Sequence, residues 1–216
     1  MSTLGVRLSI CAIFFLAAGA AFGQPYEIGA DIGYGIYRDG TIYAPGGDAR
    51  AGIRNRFAAG AVIGEDLFEH FSGEIRYQYQ DGHPFLSSGS VSKDIQGQSH
   101  TFSYDFLFHI MPRASRIRPF FAAGAGAKYY ETVGPAPEPQ PLPAIATLNA
   151  LNQWKFAPSF GGGVKIRLQE HVLVRADFRD YLTAFPKREI APAMGGTARG
   201  IFEQFTPMFG VSYVFR

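Results

Sequence analysis

The sequence is poor in cysteine, in charge and in long apolar runs, and each shortage excludes a class of protein. Its one cysteine is Cys11, so the remainder of the chain can form no disulfide, thiolate nucleophile or sulfur-bound zinc site. Charged residues are 18% of the chain and the net charge is +2, without the basic cluster that a nucleic-acid-binding surface needs. Beyond the N-terminus no run of about 18 apolar residues occurs, which argues against membrane-spanning helices. The 47% apolar content is too high for a disordered chain.

The N-terminal segment has the pattern of a secretory signal. Arg7 precedes an apolar stretch from Leu8 to about Ala18, and the small-residue ending Ala21-Phe22-Gly23 matches a signal-peptidase site. We therefore predict a signal peptide at residues 1–23 and a single exported domain at residues 24–216. A retained anchor helix is the alternative interpretation of the same segment.

The exported part alternates apolar and polar residues. Between Tyr26 and Ile36 every second residue is apolar, and the residues between them are glycine or acidic. A period of two over this length indicates a β-strand. The pattern returns seven times, in Ile53–Ile63, Gly73–Gln80, Ser99–Ile110, Phe120–Tyr130, Trp154–Leu168, Val172–Tyr181 and around Phe205–Phe215. We predict an all-β fold of eight antiparallel strands.

The links between these strands alternate in length. Short links fall at about Gly64–Phe71, Pro112–Arg118 and Gln169–His171. Long links, rich in glycine, proline and polar residues, fall at about Arg38–Arg50, Asp81–Gln98, Thr132–Gln153 and Thr183–Glu203. Short turns at one end and long loops at the other are typical of a transmembrane β-barrel. We expect any extracellular ligand to bind the long loops. No helix longer than a turn or two is predicted, and the one segment that could form a short helix is Ile145–Asn152.

The apolar face of the strands would meet lipid. Following the chain up and down the wall, we predict one aromatic girdle at the long-loop end, with Tyr34, Tyr79, Tyr104, Tyr129 and Trp154. A second girdle at the short-turn end would hold Phe121, Phe209, Tyr213 and Phe215.

The polar face of the strands would line the lumen. It carries five anions and eight cations: Glu27, Asp31, Glu74, Asp105, Asp177, Arg54, Arg56, Arg76, Lys128, Lys165, Arg167, Arg175 and Arg179. Side chains fill the interior of an eight-stranded barrel, and an isolated buried charge is costly, so we expect a plug of paired charges with Arg76 beside Asp105. Because cations are in excess, a narrow anion-preferring channel is an alternative.

The C-terminal run Phe209-Gly210-Val211-Ser212-Tyr213-Val214-Phe215 places apolar residues at alternate positions, and Arg216 follows it. Phe209, Val211, Tyr213 and Phe215 resemble the terminal-strand signature that the barrel-assembly machinery reads in bacterial outer-membrane proteins. With the signal segment and the eight strands, the chain resembles small barrels of the OmpA, OmpX and opacity-protein type. The resemblance implies an up-and-down transmembrane barrel in the outer membrane of a two-membraned bacterium, in contact with lipids and lipopolysaccharide. It also implies a structural, surface-interaction or envelope-integrity role.

An enzymatic alternative rests on His70, Ser72 and Glu74. Their spacing is similar to the His-x-Ser and Glu of barrel lipid A deacylases, whose site faces lipid near the outer leaflet. Here all three residues occupy alternate positions that are predicted to face the lumen, and they lie beside a short turn. We therefore predict no catalytic site, with a lipid-modifying enzyme as the alternative.

No cofactor or metal site is expected. The other histidines, His83, His100, His109 and His171, show no metal-ligand spacing. The glycines of Ala122–Gly126 and Gly161–Gly163 lie within strands and precede no helix, so they form no phosphate loop. In a strand such glycines allow bulky neighbours to approach closely.

Overall fold

The computed structural model describes residues 25–198 and 200–215, which form fifteen strands numbered here in chain order. The predicted signal peptide and Arg216 lie outside the described residues. Eight long strands build a barrel: β1 (Tyr26–Tyr37), β4 (Arg56–Asp66), β5 (Phe71–Asp81), β8 (Gly97–His109), β9 (Ile117–Thr132), β11 (Gln153–Arg167), β12 (Val172–Ala184) and β15 (Ile201–Phe215). Seven short strands lie in the long links: β2 (Gly40–Ala44), β3 (Gly47–Ile53), β6 (Pro84–Ser88), β7 (Val91–Asp94), β10 (Ala146–Leu148), β13 (Ile190–Pro192) and β14 (Thr197–Ala198).

The barrel closes between its first and last strands. Its order is β1-β15-β12-β11-β9-β8-β5-β4, and every neighbouring pair is antiparallel. Tyr26 is in register with Phe215 on one side and with Glu65 on the other. The predicted eight-stranded antiparallel up-and-down barrel is therefore confirmed.

The wall has an apolar outside and a polar inside. In β8 every second residue from Gly97 to His109 is buried, while Phe102, Phe106 and Phe108 face outward. The same alternation exposes Phe156 on β11, which is 70% accessible. Within the described ranges no helix is long and apolar enough to cross a membrane.

Aromatic side chains form a connected group on the wall near the long links. Tyr129 lies 4.9 Å from Trp154 between ring centroids, and His100 is in ring contact with Tyr129, Tyr79 and Tyr77. Tyr104 is not part of this group, contrary to the expected girdle. It is in register with Ile75 and Ala125 near mid-wall, because it lies five residues before the short-turn end of β8.

The long links fold into a cap, here defined as residues 38–55, 82–96, 133–152 and 185–198. One sheet of five strands runs in the order β14-β2-β3-β6-β7, and β10 pairs with β13. The cap and the adjacent barrel end share an apolar core of Tyr37, Ile42, Ala49, Ala51, Ile53, Leu86, Ile95, Tyr130, Ile145, Ala146, Leu148, Phe185, Ile190, Ala198 and Phe202. The cap therefore covers the long-link end of the lumen with packed side chains.

The short helix considered at Ile145–Asn152 does not form. Ala146 and Leu148 are both fully buried, and Leu148 is in register with Ile190 of β13. An apolar residue at every second position suits a strand, and pairing with β13 supplies the backbone hydrogen bonds that a helix would have made internally.

Candidate functional site

A network of ion pairs fills the middle of the barrel, with Arg76 at its centre. Arg76 is fully buried on β5; its Nη1 donates to Asp31 on β1 at 2.7 Å, and its Nη2 donates to Glu74 and to Asp177 on β12, each at 2.8 Å. Three strands separate β5 from β12 in either direction around the barrel. The Arg76–Asp177 contact therefore crosses the lumen and ties opposite walls together.

Arg175 completes the crossing from the opposite side. Its guanidinium lies 2.9 Å from Glu74 and 2.6 Å from Asp177, and it donates to Glu27 at 3.2 Å. Lys165 on β11 also donates to Glu27. Glu27, Glu74 and Asp177 are thus each shared by two or more cations, which is how a buried charge recovers the solvation that water would have provided.

Local sequence explains why these charges meet. Glu74 and Arg76 are two residues apart on β5, as are Arg175 and Asp177 on β12, so a strand points both members of each pair into the lumen. Neighbouring glycines supply the space. A Cβ added at Gly163 would lie 2.6 Å from the Cβ of Asp177, so only glycine fits there.

Asp105 lies at the edge of this network, which it joins through Arg179. Its carboxylate accepts hydrogen bonds from Ser159 and, at 3.0 Å, from Ser103, and Nε of Arg179 lies 3.9 Å away. The predicted pairing of Asp105 with Arg76 is wrong. Arg76 extends across the lumen toward β1 and β12 instead of sideways toward β8, where Asp105 lies.

Three of the expected lumen cations lie at the rims. Arg54 follows β3, outside the barrel strands, where it donates to Ser92 and lies 4.1 Å from the ring centroid of Phe85. Arg56 begins β4 and pairs with Asp81 at the long-link rim. Arg167 ends β11 at the short-turn end and donates to backbone carbonyls. The alternating sequence pattern continues through these three residues, whereas the barrel wall ends at or before them.

Lys128 is buried in a layer of its own, just below the cap. Its Nζ donates to the Tyr37 hydroxyl at 2.9 Å and lies 4.7 Å from the centroid of that ring and 5.1 Å from the centroid of Tyr130. Among the described residues no carboxylate lies within ion-pair distance of Lys128. A hydroxyl and two aromatic faces take the place of a counter-ion.

These placements change the charge balance of the interior. We define the lumen network as nine buried residues, five acidic and four basic: Glu27, Asp31, Glu74, Asp105, Asp177, Arg76, Lys165, Arg175 and Arg179. With Lys128 and with Arg118, which is also buried on the inward face of β9, the lumen holds six basic and five acidic side chains. The excess of three cations that suggested an anion-preferring channel therefore falls to one in the buried part of the lumen.

The residues that suggested a deacylase are not assembled as one site. Ser72 donates to Asp66 at 2.6 Å and bonds to Nε2 of His109 at 2.9 Å, whereas His70 bonds to the backbone carbonyl of His109. Glu74 belongs to the lumen network. The His109–Ser72–Asp66 contact was missed because His109 lies 37 positions from Ser72 in sequence; only the register of β5 with β8 brings them together.

Arg118 is a further residue that the sequence argument missed. It lies on the inward face of β9 and pairs with Asp66 at 3.3 Å. Arg118 and Lys128 both occupy even-numbered positions of β9, which face inward, so the alternation could have identified Arg118. Pro119 and Phe120 obscure that alternation next to Arg118. No cluster of three or more metal-ligating side chains occurs in the described portion of the chain.

A closed eight-stranded wall that is apolar outside and charged inside defines the class of small outer-membrane β-barrels. Searches of protein-family models and of curated proteins gave no match. Among solved structures, the chain is similar to the outer membrane protein OprG from Pseudomonas aeruginosa, with a TM-score of 0.59 and 12% identity over 89% of this chain and 96% of that one.

Two further structures are similar. AlkL, determined by solid-state NMR in lipid bilayers, gives a TM-score of 0.52 at 15% identity over 88% of this chain and 90% of that one. Neisserial surface protein A gives 0.50 at 10% identity over 87% and 96%. Identities this low show a shared fold, and they confirm the resemblance to small eight-stranded outer-membrane barrels.

Proposed function

We propose that this chain is an integral outer-membrane barrel with a structural, surface-interaction or envelope-integrity role, and that its lumen does not conduct. The observation that carries the proposal is the inverted polarity of the wall. Large apolar side chains such as Ile32, Phe106 and Phe209 are more than half exposed, while Arg76 and Glu74 are buried inside. A soluble barrel would have the opposite arrangement, whereas a closed sheet in lipid satisfies its own backbone and requires an apolar surface.

The partners follow from the surfaces. The apolar wall would contact membrane lipids, including lipopolysaccharide in the outer leaflet. The alternate residues Phe209, Val211, Tyr213 and Phe215, all outward-facing on β15, would be presented to the barrel-assembly machinery. An extracellular ligand would meet the cap, which lies at the opposite end from the short turns.

Two other functions receive less support. A channel would need a continuous path, but the lumen network and the cap each obstruct it within the described residues. A deacylase-like enzyme would need an activated serine facing lipid. Ser72 instead faces the lumen and donates its only hydroxyl proton to Asp66, so His109 cannot be the acceptor of that proton in this arrangement.

Fractionation and gel mobility test the location. We expect the protein in outer membranes, migrating faster on a gel when unheated than when boiled, because the closed barrel stays compact in detergent. Recovery from the soluble periplasm would refute the proposal.

Planar-bilayer recording tests the closed lumen. We expect little or no steady conductance from the refolded protein. Stable, anion-selective conductance would replace the closed-barrel assignment with a channel.

A further inference from the structure

A cleft opens at the short-turn end of the barrel, on the far side of the lumen network from the cap. Its cavity volume is about 40 Å³, and it is partly open to solvent. Five cations line it and define what we call the basic cleft: Arg113, Arg116, Arg118, Lys165 and Arg167. Three come from the turn between β8 and β9 and the start of β9, and two come from the end of β11, so two separate chain segments converge on one space.

Two of the four acids that line the basic cleft are each shared between two cations. Asp66 holds Arg118 at 3.3 Å and Arg113 at 3.5 Å, and Glu27 binds Lys165 and Arg175. The other lining acids are Glu65 and Glu170. Five cations face four acids, and one of these acids, Glu27, also balances Arg175 outside the cleft, so positive charge is in excess there.

Several donors in the cleft have no acidic acceptor. The side chain of Arg167 donates only to the backbone carbonyls of Arg113, at 2.8 Å, and Ala114, at 3.4 Å. Within residues 25–198 and 200–215 no carboxylate forms an ion pair with Arg116 or Arg167. Nε of Arg118 is a buried donor with no hydrogen-bond partner, on a side chain that is 7% exposed. Unsatisfied buried donors are uncommon in native proteins and call for an acceptor.

A phosphate group would supply the acceptor oxygens that these donors lack. Guanidinium groups bind phosphate oxygens in pairs of parallel hydrogen bonds, and guanidinium groups reaching from different directions suit an anion with several oxygens. Outward-facing Phe68, Ile110 and Met111 are exposed on the neighbouring short turns. In a membrane these residues would lie at the level where the apolar layer meets the head groups, so the basic cleft would be at head-group height.

We propose that the basic cleft is a phosphate-binding site, with Arg116 and Arg167 as its principal ligands and Arg118 at its base. The phosphate could be carried by a phospholipid head group or by a soluble compound at the short-turn side. The site itself rests on the cleft's own residues; only the lipid source rests on the proposed membrane location.

Binding of inorganic phosphate by the full-length protein, refolded in a maltoside detergent, tests the site. Calorimetric titration should show saturable binding that Arg116→Gln combined with Arg167→Gln weakens by at least about tenfold, the loss expected from removing charge-assisted hydrogen bonds. Arg116→Gln alone, at an exposed position, should weaken binding less and provides a variant with little risk to folding. The heat-dependent gel shift verifies that each variant is folded.

Lys187→Gln combined with Arg188→Gln is the matched control, because it removes the same charge from exposed positions in the cap. Phosphate affinity should be unchanged in this variant. Equal weakening by both double variants would show that net charge alone attracts the anion, and absence of saturable binding would show that water satisfies the cleft. Either result overturns the proposal.

The source of the phosphate is decided by repeating the titration in nanodiscs of phosphatidylglycerol. If a head group occupies the basic cleft, the affinity for inorganic phosphate falls by about tenfold or more relative to detergent. An unchanged affinity indicates a soluble phosphate compound. Failure of the protein to fractionate with membranes would refute its proposed location without altering the detergent result.

Discussion

The lumen network and the cap close the same barrel by opposite chemistry. In the network, buried arginines are held by carboxylates across the lumen, Arg76 by Asp177 at 2.8 Å and Arg175 by Glu74 at 2.9 Å. In the cap, apolar residues such as Ile42, Leu86 and Leu148 are fully buried against one another. One region depends on charge complementarity between opposite walls, and the other depends on the exclusion of water from packed surface.

The two regions should therefore fail differently. Removing one member of a buried ion pair leaves its partners charged and desolvated. A single substitution therefore destabilises the whole network. Truncating an apolar side chain leaves a cavity whose cost is local and depends on how far the neighbours relax. We infer that the network couples the strands of the wall globally, whereas the cap is a local unit built on top of it.

The largest effect is expected for Glu74→Ala. Glu74 contacts Arg76 at 2.8 Å, Arg175 at 2.9 Å and Arg179 at 3.5 Å, so its removal leaves three buried cations short of a partner. Breaking a buried pair in this way costs about 3–5 kcal/mol. Urea unfolding followed by the gel-mobility shift would measure the loss for the whole barrel.

Glu138→Ala, at an exposed position in the cap, is the control for this variant and should unfold like the wild type. A Glu74→Ala protein as stable as the control would show that the lumen network does not hold the walls together.

A smaller and more local effect is expected for Leu148→Ala. Leu148 is fully buried in the cap core, and truncation of such a residue costs about 2–5 kcal/mol. Because the cavity lies outside the barrel wall, amide exchange and proteolysis should increase in the cap while the heat-dependent gel shift remains. Leu151→Ala, three residues away and 44% exposed, is the matched control and should leave both measurements unchanged. Equal behaviour of the two variants would contradict a packed cap.

The stability of the cap should also depend on pH. Burial raises the pKa of Glu189 from 4.5 to about 7, although a hydrogen bond from Gln153 opposes the shift. The folded cap then binds more protons than the unfolded chain between these values, so the contribution of Glu189 to stability is fully present below pH 4.5 and is lost as the pH rises through 7. We expect a smaller effect than from a truncation, because no side chain is removed and no cavity forms.

Local opening free energies from amide exchange, corrected for the intrinsic rate at each pH, would measure this dependence. Glu189→Gln should abolish it, since the amide cannot ionise. A cap that opens equally often at pH 5 and pH 8 in the wild type would rule out the burial of a protonated carboxyl there.

The smallest effect on the folded barrel is expected outside both regions, on the terminal strand. Tyr213 and Phe215 face outward and contact each other at 4.9 Å between ring centroids, so Tyr213→Ala or Phe215→Ala removes little from the interior. We expect instead a defect in assembly, measured as the fraction of chains that reach the folded, heat-modifiable form in cells. Deletion of Arg216 should have a much weaker effect. Equal defects in all three variants would argue against recognition of the alternate apolar residues.

The site was predictable where alternation is strict and unpredictable where it ends. The inward positions of Glu74, Arg175 and Asp177 follow from the period of two, since each lies well inside a long strand. Arg54 and Arg56 were misassigned because the end of a strand leaves no mark in the pattern. The predicted pairing of Asp105 with Arg76 is wrong for another reason. The sequence indicates that their two strands are neighbours, but it does not show in which direction the long Arg76 side chain extends.

The sequence by itself determined the barrel: eight alternating segments with links of alternating length permit one closed antiparallel sheet, because side-chain direction in a strand is fixed by the backbone. Only the tertiary structure decided which charges pair, since Arg76 and Asp177 are 101 positions apart and meet across the lumen. The tertiary structure also decided that the long links form a cap. Strands as short as Ala146–Leu148 carry too few residues for a recognisable period, and they are stable only because β13 and the apolar core are beside them.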